Sequence, residues 1–83
     1  MYRIELKPRA IRDLYGLPRL EARKILGKIQ NLEQGLIGDI KKLTNFTPEY
    51  RMRIGSYRVL FEIEDSKIII YRINHRKEAY SQR

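Results

Sequence analysis

Between Tyr50 and Ile63 the chain alternates in steps of two about the dipeptide Gly55-Ser56, and few folds can accommodate that pattern. On one side of the turn Tyr50, Met52 and Ile54 alternate with Arg51 and Arg53. On the other, Tyr57, Val59, Phe61 and Ile63 alternate with Arg58, Leu60 and Glu62. A period of two places successive side chains on opposite faces of a strand. A two-residue connection opening on glycine suits a tight hairpin turn. Pairing outward from the turn sets Ile54 against Tyr57, Arg53 against Arg58 and Met52 against Val59. The apolar pairs then share one face, and the arginines share the other with Arg51.

The rest of the chain supplies what must cover the apolar face. Residues 2–6 alternate strictly and predict a half-buried strand. Pro8 suits a first helical turn, and Ile11, Leu14 and Tyr15 follow at helical spacing, so residues 8–15 read as a short helix. Gly16-Leu17-Pro18 breaks it. A second helix carries Ile25, Ile29, Leu32 and Leu36 as an apolar stripe, with Arg19, Arg23, Lys24 and Lys28 largely off it. Gly35 and Gly38 are stop signals, and the short break predicts an antiparallel helical hairpin. Residues 39–49 read as irregular. After Glu64-Asp65-Ser66, Lys67 to Ile73 is the most strand-prone run of the sequence.

The expected architecture is therefore α+β, in the order β-α-α-β-β-β. The helical hairpin packs on one face of an antiparallel sheet, and residues 1–83 form one domain. The register of the last strand has two solutions. A two-residue turn aims Arg72 at the core, whereas a three-residue turn sends it to the face of Arg58. The second is preferred, because a buried unpaired guanidinium is costly.

Composition narrows the function. Eighteen Lys and Arg against ten Asp and Glu give a net charge of +8, which suggests a polyanionic partner. The excess is spread along the chain, so a basic patch has to be assembled by folding. The absence of cysteine excludes a disulfide scaffold and thiolate zinc sites. One histidine and carboxylates without ligand spacing do not build a metal site, and no cofactor-binding loop is present. No apolar run approaches the ~20 residues of a membrane span. The first residues do not resemble a signal peptide, so a cytoplasmic location is expected.

Two arginines directly opposite one another in a sheet repel, by ~0.2–1 kcal/mol. Such a pair persists when an anion binds there or when carboxylates neutralise it, and Glu49 and Glu62 are the candidates on that face. Arginine forks match phosphate geometry and keep their charge. A second feature, Asn74-His75-Arg76-Lys77-Glu78-Ala79-Tyr80, follows the last strand. It adds Arg76 as another phosphate ligand, His75 as a group that exchanges protons near neutrality, and Tyr80 as a proton donor or stacking residue. RNA carries its own nucleophile, the 2′-hydroxyl. A protein can therefore cleave it without a metal by orienting that hydroxyl, neutralising the phosphate and supplying an acid and a base.

The segment Tyr50-Arg51-Met52-Arg53-Ile54-Gly55-Ser56-Tyr57-Arg58-Val59-Leu60-Phe61-Glu62-Ile63 resembles the central hairpin of the RelE/ParE toxin family. Ile73-Asn74-His75-Arg76-Lys77-Glu78-Ala79-Tyr80 resembles the family's C-terminal motif. Length and element order also fit. The resemblance implies a type II toxin neutralised by a cognate antitoxin with an acidic or partly disordered segment. It further implies a metal-independent endoribonuclease that cleaves messenger RNA in the ribosomal A site. By position, Arg58 would contact the scissile phosphate and Arg76 would support it or the leaving group. Tyr80 would stack on a base or assist proton transfer, and His75 would stand where some members have a lysine. Arg51 and Arg53 would bind RNA, with Lys41 and Lys42 as a further basic cluster. The ParE branch implies the alternative, inhibition of DNA gyrase by binding alone.

Overall fold

The computed structural model describes residues 1–77. Its elements are β1 (Arg3–Leu6), α1 (Pro8–Tyr15), α2 (Arg19–Asn31) followed by a 3₁₀ turn over Leu32–Gln34, β2 (Asp39–Lys42), β3 (Tyr50–Ile54), β4 (Tyr57–Glu64) and β5 (Lys67–His75). The five strands form one sheet in the order β1-β5-β4-β3-β2. The sheet is mixed: β1 runs parallel to β5, and every other pairing is antiparallel. The two helices carry the chain from one edge of the sheet to the other, and the meander β2-β3-β4-β5 brings it back beside β1. Among the described residues no helix is long and apolar enough to cross a membrane.

The central hairpin has the register expected from the alternation, with Ile54 opposite Tyr57, Arg53 opposite Arg58 and Met52 opposite Val59. Gly55 has φ +56°, as the first central position of this turn demands. A Cβ added there meets no atom within 4 Å, so its cost is conformational alone. Gly55→Ala is expected to destabilise the protein by ~1 kcal/mol, read as a lower urea midpoint.

Val59, Phe61, Ile68, Ile70 and Ile73 form the buried centre of the helix-covered face. Ala10, Ile25, Ile29 and Leu32 close over it. Burial of each large side chain here contributes roughly 1.5–3 kcal/mol. The apolar stripe of α2 is buried through Leu32. Leu36 is exposed, because the chain leaves the helix axis at the 3₁₀ turn and Gly35. In α1 the inward residues are Ala10 and Leu14, whereas Tyr15 is 85% exposed. A helix of two turns presents one narrow stripe, and Ile11 and Tyr15 lie on the next one round.

Residues 39–49, read as irregular, contain β2. Its four residues Asp-Ile-Lys-Lys hold one apolar side chain, too little for a period to show. Their strand geometry comes from pairing with β3, Asp39 opposite Arg53 and Lys41 opposite Arg51. The last register also departs from expectation. Glu64 pairs with Lys67 across a two-residue turn, and Tyr71 is then an extra residue between Ile70, opposite Phe61, and Arg72, opposite Leu60. This bulge reverses the facing of everything after it. Arg72 thus leaves the core by a route other than a longer turn.

Candidate phosphate-binding site

The sheet face away from the helices carries two cross-strand rows. One runs Lys41, Arg51, Leu60, Arg72, and the next runs Asp39, Arg53, Arg58, Asn74. Rows two residues apart along a strand are separated by ~6.6 Å, and neighbouring strands by ~4.8 Å. Five cations therefore share a small area with one carboxylate of the same rows. Residues 43–48 turn back over this face. The loop is closed by the Leu43 N–H donating to the Glu49 carbonyl at 2.6 Å, and Pro48 is buried. The result is an open groove of ≈ 380 Å³ with Lys41, Arg51, Arg53 and Arg58 on the sheet side and Leu43, Thr44 and Phe46 on the loop side.

The carboxylate that neutralises the arginines is Asp39. Its Oδ1 accepts from Arg51 Nη1 at 3.2 Å, its backbone carbonyl accepts from the same nitrogen at 3.2 Å, and its Oδ2 lies 3.4 Å from Arg53 Nε. Of the two expected neutralisers, Glu62 is engaged elsewhere: its Oε2 accepts the Glu49 backbone N–H at 2.9 Å and so holds the chain where it enters β3. Arg51 is only 6% exposed and serves as the anchor of the cluster. Arg53 is half-exposed at the groove rim. Arg58 donates from Nη1 to the carbonyls of Gly55 at 3.0 Å and Tyr57 at 2.9 Å, so the hairpin turn itself orients its guanidinium. Arg76 is exposed beside the same turn, tied by its N–H to the Ser56 carbonyl at 2.7 Å.

Two candidate residues are not brought to this face. Lys42 pairs with Tyr50 and belongs to the other side of the sheet. His75 pairs with Tyr57, also on the helix side, where its ring meets Tyr57 edge-on at 5.7 Å. Its Nδ1 accepts the Lys77 N–H at 3.3 Å. Tyr80 lies outside the described residues. The register puts Asn74 opposite Arg58. This side chain is buried, at 4% exposure, and its Nδ2 has no acceptor among the described residues. A buried donor without a partner is uncommon in folded proteins. Asp39, Phe46 and Asn74 escaped the sequence reading. The strand pairing of β2 identifies the first, the loop's return the second and the bulge in β5 the third.

Arg72 shares the basic face by register but is committed to the fold. Its Nε donates to Asp13 Oδ2 at 2.8 Å and its Nη2 to Oδ1 at 3.3 Å, while the Ile73 N–H donates to the same carboxylate at 2.9 Å. Asp13 thus binds α1 to the stretch of β5 that extends beyond its pairing with β1.

Known proteins share this architecture. A family model described as the ParE toxin of type II toxin-antitoxin system, parDE, matches residues 4–80. The RelE1 protein of Methanocaldococcus jannaschii is 34% identical over 85 residues, covering 95% of this chain and 94% of that protein. Toxin RelE3 of the same organism is 35% identical over 75 residues, with 84% and 85% covered. Among solved structures, the archaeal RelE-RelB complex from Pyrococcus horikoshii OT3 aligns with a TM-score of 0.77 at 28% identity, over 94% of this chain and 98% of that one.

Proposed function

Because the chain belongs to the ParE toxin family of type II toxin-antitoxin systems and is a RelE-like toxin, we propose that it acts by cleaving messenger RNA. The observation that carries this reading is the groove in which Arg51, Arg53, Arg58 and Lys41 converge under a loop bearing Phe46. In the proposed reaction the 2′-oxygen attacks the adjacent phosphorus and the bond to the 5′-oxygen breaks. The proton lost by the 2′-hydroxyl passes to a base, and one is supplied to the departing 5′-oxygen. A 2′,3′-cyclic phosphate and a 5′-hydroxyl result. Arg58, oriented by the turn carbonyls, stabilises the charge that builds on the non-bridging oxygens. Arg53 and Lys41 hold the backbone, Arg51 braces Arg53 through Asp39, and Arg76 supports the leaving side. Phe46 offers a ring on which a base can stack.

The reaction needs no metal in this scheme, and the decoding site of the ribosome is the proposed place of cleavage, in the cytoplasm. The proposed partner is a cognate antitoxin with an acidic, partly disordered segment that folds on the basic face. A partner strongly basic along its binding segment would contradict that. The test is induction of the chain in growing bacteria with mapping of messenger-RNA 5′ ends within minutes. New ends inside translated codons are expected.

His75 lies across the sheet from Arg58 and has no role in the proposed chemistry. His75→Gln is expected to keep the cleavage rate near that of the wild type. A collapse in rate without loss of the urea midpoint would return the histidine to the reaction. A second reading, gyrase inhibition by binding alone, is favoured by the ParE description of the matching family and by the separation of His75 from the arginines. It predicts growth arrest with intact messages and damaged DNA.

A further inference from the structure

The basic residues of α2 are not simply a solvated helix face. Lys24 and Lys28 lie one turn apart, ~6 Å along the helix axis. Both border a cleft of ≈ 370 Å³ between α2 and the end of the central hairpin. The opposite wall carries Arg53, and Asn31 adds a neutral amide at the end of the helix. Asp39 is the one carboxylate among the lining residues, and its oxygens are engaged by Arg51 and Arg53. Lys24 and Lys28 form no ion pair among the described residues. A concave site bordered by three basic residues concentrates positive potential more than the same charges on a convex helix.

Arg53 borders both this cleft and the groove that holds Arg58. It stands on the ridge between them. A strand whose phosphate is seated at Arg58 can therefore pass over Arg53 and continue toward α2 without leaving positive surface. We propose that the cleft is a second phosphate-binding subsite, in which Lys24 and Lys28 hold the RNA backbone beyond the scissile position. This inference rests on the RNA-cleavage reading. The shared residue Arg53 favours a continuous nucleic-acid path over an acidic protein segment bound in the cleft alone.

The test uses 2′-O-methyl RNA, which cannot be cleaved because the nucleophile is blocked. A short oligonucleotide of about four nucleotides and a long one of about twelve span ordinary single-strand site sizes. Binding of each is measured against salt for the wild type, the double variant Lys24→Gln with Lys28→Gln, and the charge-preserving pair Lys24→Arg with Lys28→Arg. Loss of two phosphate contacts lowers the slope of log K against log salt by about 1.4. The glutamine variant is expected to show that loss on the long oligonucleotide and none on the short one. The arginine variant is expected to restore it, at equal urea midpoints. A wild-type slope for the glutamine variant on the long oligonucleotide overturns the subsite and leaves the cleavage reading standing. The subsite is likewise overturned if that variant loses affinity for poly-glutamate and keeps it for RNA. A wild type that binds neither oligonucleotide at low salt overturns the subsite, whereas the cleavage reading falls separately, if induction of the chain produces no new messenger-RNA 5′ ends inside translated codons.

Discussion

Arg58→Ala is expected to lower the rate of RNA cleavage by about 10²–10³-fold, the range seen when one preorganised donor to a developing oxyanion is removed. The expectation follows from how the side chain is held. Its Nη1 donates to the carbonyls of Gly55 and Tyr57, which ties the guanidinium to the hairpin turn. Asp39 relieves the repulsion from Arg53 across the strand by drawing that guanidinium toward itself at 3.4 Å. A group so prepositioned needs little reorganisation as charge builds on the phosphate. Arg58→Lys keeps the charge but loses the planar fork, and it is expected to recover little of the rate. The measurement is single-turnover cleavage on translating ribosomes, with urea unfolding as the control for folding. A rate unchanged in Arg58→Ala would remove this residue from the chemistry and shift weight to the gyrase reading.

Asp13→Ala is expected to cost ~3 kcal/mol of folding stability, with urea unfolding as the measurement. The carboxylate accepts from Arg72 Nε, Arg72 Nη2 and the Ile73 N–H. Both side chains of the pair are largely buried, at 16% and 14% exposure. Truncation would remove two bonds to the Arg72 guanidinium and one to the Ile73 N–H at once, at a largely buried site, and breaking a buried pair from one side costs more than the pair contributes when intact. For a domain of this size such a loss is a large share of the total. Asp13→Asn keeps an acceptor for the Ile73 N–H and is expected to recover part of the stability. Equal midpoints for wild type and Asp13→Ala would show that water replaces the carboxylate at no cost, contrary to the burial of the pair.

The legible part of the molecule was the part encoded by short-range periodicity. Alternation about Gly55-Ser56 determined the central hairpin, its register and the meeting of Arg53 with Arg58, because a strand's two faces follow from chain geometry alone. The helical stripe of Ile25, Ile29 and Leu32 was determined in the same way. The motif resemblance over Tyr50–Ile63 and Ile73–Tyr80 was enough to name the family that residues 4–80 match.

Everything that depends on a partner far along the chain had to wait for the fold. Asp39 becomes the counter-ion of Arg51 and Arg53 because β2 pairs with β3, and nothing in Asp-Ile-Lys-Lys signals a strand. Asp13 meets Arg72 across 59 residues. The bulge at Tyr71 places Asn74, rather than His75, on the face of Arg58. One extra residue reverses the facing of the segment that follows, and no local propensity marks where it is inserted. The sequence by itself therefore determined which residue types could bind and cleave a polyanion. Tertiary pairing alone decided which of them share a surface, because facing, counter-charge and burial are set by the neighbour across the sheet rather than by the neighbour along the chain.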